Sequence, residues 1–287
     1  MSVQAAAGGA QRGRRPSGVI RLGLVLRTMG EVSTRETLLG GARAAEQAGL
    51  DDVWVVDHVA IPPDDAEGSG GRYLDPLTVL AWLAGATERI GLGTAVLVVP
   101  YRPALPTAKV IATLQELSGG RLALGVGVGW MAPEFRALGV PREQRGRITD
   151  ETLAQWRAWF ADDHAEANGQ PFLFRPRPPR PPLFVGGQPP HALERAVRLG
   201  DGWMPMGADP EKLRPHALRL RALAREHGRE PLEIAALGAL PLDDPPRARE
   251  QLAALAEIGV TRVAHGARYA DADELRASAE KLAALRS

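Results

Sequence analysis

Eight short apolar runs, each followed by a helix-forming segment, recur along this 287-residue chain, and that alternation constrains its fold more than any other feature. They are Ile20–Leu26, Val53–Val56, Ile90–Val99, Leu122–Val126, Leu183–Val185, Trp203–Met204, Leu232–Leu237 and Val260–Ala264. Strands that alternate with helices imply a parallel sheet, because each helix supplies the crossover. Eight such units fit a closed (β/α)8 TIM barrel; an open doubly wound sheet is the alternative. The expected division is a disordered tail over residues 1–18 and a single barrel over 19–287.

Local signals place the helices. Ser33-Thr34-Arg35-Glu36 has capping-box spacing with Ser33 as N-cap, and Gly49 stands where that helix should stop. Asp75-Pro76 reads as an N-cap with proline at the first helical position, opening a helix to about Arg89. A third helix spans Ala104–Leu117, and Ile148, Leu153, Trp156 and Phe160 mark a fourth. Further helices are expected over His191–Leu199, Glu211–Glu226, Arg247–Ile258 and Asp273–Leu285. Two connections are long. His58–Tyr73 holds three glycines, and Ala161–Pro182 carries a proline run expected to cross the surface in extended form. Both are candidate walls of an active site, with tolerated insertions as the plainer alternative.

Composition removes several function classes. The chain has no cysteine, which excludes a disulfide scaffold, a thiolate metal site and a cysteine nucleophile. Lys+Arg is 35 against Asp+Glu 34, so nothing electrostatic points to nucleic acid. No run approaches the ~20 apolar residues of a membrane helix. Arg14-Arg15 is followed by a stretch too short and too broken for a signal h-region, so the expected location is the cytoplasm. No HxH, HExxH or carboxylate cluster suggests a metal, and no Gly-x-Ser-x-Gly elbow suggests a hydrolase.

A barrel carries its chemistry at the C-terminal ends of its strands. Those ends read Asp57-His58, Gly93-Thr94-Ala95-Val96, Gly125-Val126-Gly127-Val128-Gly129-Trp130, Gly186-Gly187-Gln188 and His265-Gly266. Gly125, Gly127 and Gly129 alternate and leave one face of their strand bare. A flat ring could approach such a face, and close packing inside the barrel would equally use it. Gly186-Gly187-Gln188 leads into a helix whose free N–H groups would suit a phosphate, or forms a plain strand-to-helix turn. Asp57-His58 is the only carboxylate–imidazole pair at a strand end, suited to proton transfer if it is not merely structural.

Four runs carry a resemblance: VWVVDHVAIP (Val53–Pro62), YLDPLTVLAWLAGATERIGLGTAVLVVP (Tyr73–Pro100), LQELSGGRLALGVGVGWMAPEFRALGVP (Leu114–Pro141), and PPLFVGG with AVRLGDGWMP (Pro181–Pro205). In this order they resemble the luciferase-like oxidoreductases. The nearer branch is the one that uses the 8-hydroxy-5-deazaflavin coenzyme F420 in place of FMN. The likeness is good over about residues 20–205 and looser beyond.

The resemblance implies a (β/α)8 barrel with the tricyclic ring at its C-terminal face. It implies a strand bulge with a non-prolyl cis bond at Ala95–Val96, beside Thr94, pressing on the back of the ring. His58 matches the family histidine beside the ring, with Asp57 supporting its loop. Gly186, Gly187 and Gln188 match the phosphate-holding segment, and Gly127, Val128 and Gly129 the strand edge near the ring. Sugar-phosphate dehydrogenases of the family carry a glutamate directly after those glycines. Here that position is Trp130, a candidate wall for an apolar substrate pocket, and the nearest carboxylate is Glu134. The departure argues against a sugar phosphate and leaves the second catalytic group unassigned. The implied function is hydride transfer between coenzyme F420 and a small organic molecule. An FMN-dependent monooxygenase is the alternative, and a barrel that only binds a coenzyme comes third. Relatives suggest a homodimer.

Overall fold

The computed structural model describes residues 19–286 and closes the expected eight runs into one barrel. The expected tail and its Arg14-Arg15 pair lie outside the described residues. In chain order the elements are β1 (Arg21–Val25), α1 (Arg35–Gln47), β2 (Asp52–Val55), α2 (Pro76–Ala86), β3 (Gly91–Val98), α3 (Ala104–Leu117) and β4 (Leu122–Gly127). Then come α4 (Ala132–Ala137), α5 (Arg145–Ala161), β5 (His164–Ala167), β6 (Gln170–Leu173), β7 (Leu183–Gly186) and α6 (His191–Leu199). β8 (Gly202–Met204), α7 (Pro210–Glu226), β9 (Glu233–Gly238), α8 (Pro245–Glu257), β10 (Arg262–His265) and α9 (Ala272–Ala283) complete the fold. The barrel order is β1-β10-β9-β8-β7-β4-β3-β2, with parallel neighbours throughout. No helix among the described residues is long and apolar enough to cross a membrane.

Period-two patterning divides each strand between two cores. Outward residues such as Val53, Val55, Leu92, Leu124 and Val263 pack beneath the helices. Inward residues Val25, Trp54, Ala95, Ala123, Phe184, Met204, Ala235 and Ala264 fill the barrel itself. Trp54 needs small neighbours: a Cβ on Gly23 or Gly93 would come within 2.5 or 2.2 Å of its side chain. Near the strands' N-terminal ends, Arg262 meets Asp52 at 2.6 Å, both buried, with the guanidinium 5.4 Å over the Phe184 ring. That end of the barrel has a solid floor.

Several local expectations shift. The N-cap of α1 is Thr34, whose hydroxyl accepts from the Thr37 N–H at 3.1 Å. Ser33 is fully buried and instead donates to the Gly30 carbonyl at 2.6 Å, so its hydroxyl is spent on the β1–α1 loop. The helix after Asp75 ends at Ala86, short of Arg89, because one Glu46 oxygen accepts the N–H groups of Glu88, Arg89 and Ile90. That carboxylate steers the chain off the helix and into β3. Glu46→Ala is expected to cost about 2 kcal/mol, since it strips a charged acceptor from three donors at once; urea unfolding would measure it. The expected extended crossing segment after α5 contains an antiparallel hairpin, β5–β6. Asn168 (φ 50°) and Gly169 (φ 75°) form its two-residue turn, the chemistry an Asn-Gly pair favours.

Candidate active site

β2 delivers Asp57 and His58 to the C-terminal end of the barrel. The Asp57 carboxylate accepts the Val98 N–H at 2.8 Å and both arms of the Arg102 guanidinium at 2.7 and 2.9 Å. Arg102 also reaches Asp75 at 2.7 Å. Although burial opposes its charge, Arg102 is held above its ordinary pKa by these two carboxylates. Asp57 is therefore a positioning residue that fastens the end of β3. Its side chain is fully buried.

His58 has a partner that sequence spacing does not reveal. Its Nδ1 lies 2.8 Å from Oε2 of Glu134, 76 positions away, and the same oxygen accepts the Tyr101 hydroxyl at 2.8 Å. Oε1 accepts the N–H groups of Val59 at 2.6 Å and Ala60 at 3.0 Å. Burial alone would push the Glu134 carboxyl up. The N–H groups of Ala60 and Val59, then the Tyr101 hydroxyl and the His58 ring, outweigh it and hold the group below the ordinary carboxylate range. Burial, and then the neighbouring Glu134 charge, pushes the Tyr101 phenol up, so it remains a donor. An ionised carboxylate only accepts, so Nδ1 of His58 carries the proton. Nε2 is left as the open nitrogen.

Short helix α4 makes this possible. Phe135 is buried edge-on against Tyr101, centroids 5.2 Å apart, and packs with Val98, Leu138 and Val140. The wedge turns Glu134 toward the β2 loop with no surface left exposed. The long loop after His58 is stitched at its far end to the β1–α1 loop. Met29 bridges Tyr73, the Leu74 N–H donates to the Thr28 carbonyl, and Arg72 Nε donates to the Ser33 hydroxyl at 2.9 Å. Tyr73 thereby stands 4.9 Å from the His58 ring. Trp130 also meets that ring, edge-on at 6.1 Å, and is 66% exposed.

The register of β3 against β4 shifts between Thr94 and Leu97, and the Ala95–Val96 peptide is cis. Val96 fills space that the glycines vacate: a Cβ on Gly127 or Gly186 would lie 2.6 or 2.9 Å from its methyl groups. The bare faces of Gly127 and Gly186 thus receive this chain's own valine, and Val96, half-buried, is what the barrel presents there. Thr94 is fully buried and donates to the Gly125 carbonyl at 2.8 Å, so its hydroxyl ties β3 to β4 in the barrel wall. Gly129 has φ +76°, and a Cβ there would also strike Val98 at 2.7 Å. Val128 is half-buried at the same strand end.

Gly187, at φ +121°, and Gln188 are exposed at the end of β7. No side chain caps α6, which follows them. Within its first turn the Ala192 N–H already donates to the Gln188 carbonyl at 3.2 Å and the Leu193 N–H to the Pro190 carbonyl at 3.1 Å, so a phosphate would meet the exposed Gly187-Gln188 backbone, while half-buried Val96 offers an apolar shelf for a flat ring. At β10, His265 is buried; its Nδ1 accepts the Leu240 N–H at 3.0 Å, and Nε2 has no partner. Burial lowers its pKa to about 4. It faces the outer core with Val263, away from His58.

Comparison with known proteins agrees with this fold. The model of the luciferase-like monooxygenases matches residues 20–286. An uncharacterised protein of Mycobacterium tuberculosis is 34% identical over 269 residues, covering 86% of this chain and 93% of its own. A 5,10-methylenetetrahydromethanopterin reductase of Methanolobus tindarius is 32% identical over 198 residues, 67% of this chain and 57% of the relative. An F420-dependent secondary alcohol dehydrogenase, solved with an F420–acetone adduct, shares the fold with a TM-score of 0.75 at 17% identity, covering 93% of this chain and 98% of that one. The chain belongs to the luciferase-like monooxygenase family.

Proposed function

We propose that this chain is an oxidoreductase that moves a hydride between coenzyme F420 and a small organic substrate at the C-terminal end of the barrel. The observation that carries the proposal is His58, its tautomer fixed by ionised Glu134 and its Nε2 left open, at the same C-terminal end of the barrel as the glycine-seated Val96. The coenzyme, when bound, supplies the hydride chemistry, and the protein supplies orientation and proton handling. Ala95, Val96, Val128 and Gly129 would support the ring. Gly187 and Gln188, ahead of the uncapped α6, would hold the phosphate. His58 Nε2 would take or return the proton that accompanies the hydride. Trp130 and Tyr73 would keep water from that nitrogen.

Titration with each reduced coenzyme in air tests this. Tight binding of reduced F420 without oxygen uptake is expected. Binding of reduced FMN alone, with oxygen consumed, would replace the proposal with the monooxygenase reading.

The same proposal treats residues 19–287 as one catalytic domain of a cytoplasmic homodimer. Helix α2 has no charged residue, and next to it Val110 and Leu117 of α3 are exposed. A largely apolar face of this kind, edged by Lys109 and Glu116, suits a second copy of itself. Leu117→Asp is expected to convert a dimer to monomers in sedimentation velocity.

A further inference from the structure

Three arginines stand at the part of the barrel mouth that holds His58, and among the described residues none of them pairs with a carboxylate. Arg142 gives its Nε–H to the Trp130 carbonyl at 3.2 Å, and Arg72 gives its own to the Ser33 hydroxyl at 2.9 Å. Both are exposed. Arg27 differs because it is half-buried. Its backbone N–H donates to the Tyr269 hydroxyl at 2.7 Å, and its guanidinium makes one long bond of 3.4 Å to the Tyr269 carbonyl, 5.8 Å from that ring. A guanidinium drawn partly out of water without a counter-charge is unfavourable, and its remaining N–H groups still need acceptors.

Register places that charge inside the mouth. Leu22, Leu24 and Leu26 of the β1 segment belong to the outer core and Val25 to the barrel interior, so the alternation turns Arg27 inward, one step above Val25. The β1–β2 pairing of Val25 with Trp54 continues past the strand ends: the Leu26 N–H donates to the Trp54 carbonyl and the Thr28 hydroxyl to the Val56 carbonyl at 3.3 Å. Arg27 therefore stands opposite Val56, and His58 is the next inward position of that chain. On the other side of β1 the matching inward position of the β10 segment is Gly266, which puts no side chain beside Arg27. Tyr73 lies within range of both charges. Burial is the main cause that holds its phenol above the ordinary pKa; the Ser69 hydrogen bond opposes that, the Glu134 charge adds to it and the Arg27 charge opposes it.

We infer that Arg27 determines specificity at this site, and that the substrate is a small organic acid whose carboxylate pairs with the guanidinium while the rest of the molecule runs along the inner face of β1 and β2 to His58. The inference rests on the mouth being the substrate site of the oxidoreductase proposed above. The coenzyme phosphate does not compete for Arg27, because its proposed seat after β7 is four strands from β1 in either direction around the barrel. Glu134 opposes an anion, but its oxygens are taken up by His58, Tyr101 and the Val59 and Ala60 N–H groups, whereas the Arg27 charge is unspent. A planar fork on a carboxylate gives charge-assisted bonds that a neutral amide cannot match.

Calorimetry on the coenzyme-free full chain compares hexanoate with hexanamide, which match in length and differ in charge. Hexanoate is expected to bind at least tenfold more tightly. Raising salt from about 0.02 to about 0.5 M should weaken hexanoate several-fold and leave hexanamide unchanged. Arg27→Gln should bring the two to within about threefold of each other. Arg27→Lys keeps the charge and loses the fork, so it should fall between; with the salt series it carries the test if Arg27→Gln fails to fold. Hexanoate no tighter than hexanamide overturns the inference, as does a preference that survives Arg27→Gln or is lost instead in Arg72→Gln or Arg142→Gln. A loss of F420 affinity in Arg27→Gln larger than the loss of hexanoate assigns the guanidinium to the coenzyme and also overturns it. Coenzyme titration of the parent is read separately. A protein that binds F420 without the acid preference sinks this inference alone, and one that keeps the preference but binds no coenzyme sinks the oxidoreductase proposal alone.

Discussion

His58→Ala is expected to lower turnover by about a hundredfold or more, the scale of losing one positioned proton-transfer group, while coenzyme binding changes less than about threefold. The asymmetry follows from geometry. The imidazole belongs to the β2 end of the barrel, whereas Val96 sits on the β3 bulge and Gly187-Gln188 follow β7, so its removal deletes a proton acceptor and leaves the proposed binding surfaces in place. Glu134→Gln is expected to produce a partial version of the same defect. The amide still accepts from Val59 and Ala60 but no longer fixes the proton on Nδ1, so the ring populates both tautomers. The loss should then appear in kcat with little change in KM. Steady-state kinetics with a coenzyme titration on each variant separate these outcomes. An unchanged kcat in His58→Ala would remove the residue from the reaction.

Acid is expected to destabilise the protein through a different histidine. His265 has a pKa of about 4 when folded and 6.5 ordinarily, because burial disfavours its charged form. The unfolded chain therefore binds a proton that the folded chain refuses. The stability from neutral His265 is complete above about pH 6.5, declines as pH falls from there, and is gone by about pH 4. The integrated loss is about 3 kcal/mol, since each pH unit crossed in that window removes about 1.4 kcal/mol. Protonation would also cost the Leu240 N–H its acceptor. His265→Asn keeps an acceptor and removes the titration. Urea midpoints measured from pH 7.5 to 4.5 should fall less steeply in that variant than in the parent.

The barrel is legible in the sequence because its signals are local. A strand at Leu122 or Leu183 declares itself by an apolar run, and the helical spacing over Ala104–Leu117 matches α3 residue for residue. The Asp75-Pro76 start also holds, with the Asp75 carboxylate accepting the Thr78 N–H. What escapes depends on contacts that adjacent residues cannot report. In the sequence Glu134 is no more than the nearest carboxylate, since its link to His58 spans 76 positions and runs through the Phe135 wedge. Gly127 reads as room for a flat ring or as close packing, and Gly186 as part of a phosphate segment or a plain turn, whereas the bulge at Val96 packs against both from within the chain. Choosing Thr34 over Ser33 as the cap depends on a buried carbonyl at Gly30. The β5–β6 hairpin differs in kind: Asn168-Gly169 is a local turn signal, masked by the prolines that dominate the segment around it.

With Trp54, Arg262 and Asp52 stopping the far end of the barrel, traffic through the molecule runs one way in and the same way out. Two guests that share such a blind well must queue. Were the proposed coenzyme to lie on the Val96 shelf with its substrate above it, the coenzyme would have to arrive first and the substrate-derived product depart before it. Ordered addition and release, visible in product-inhibition patterns, is the kinetic signature of that closed floor.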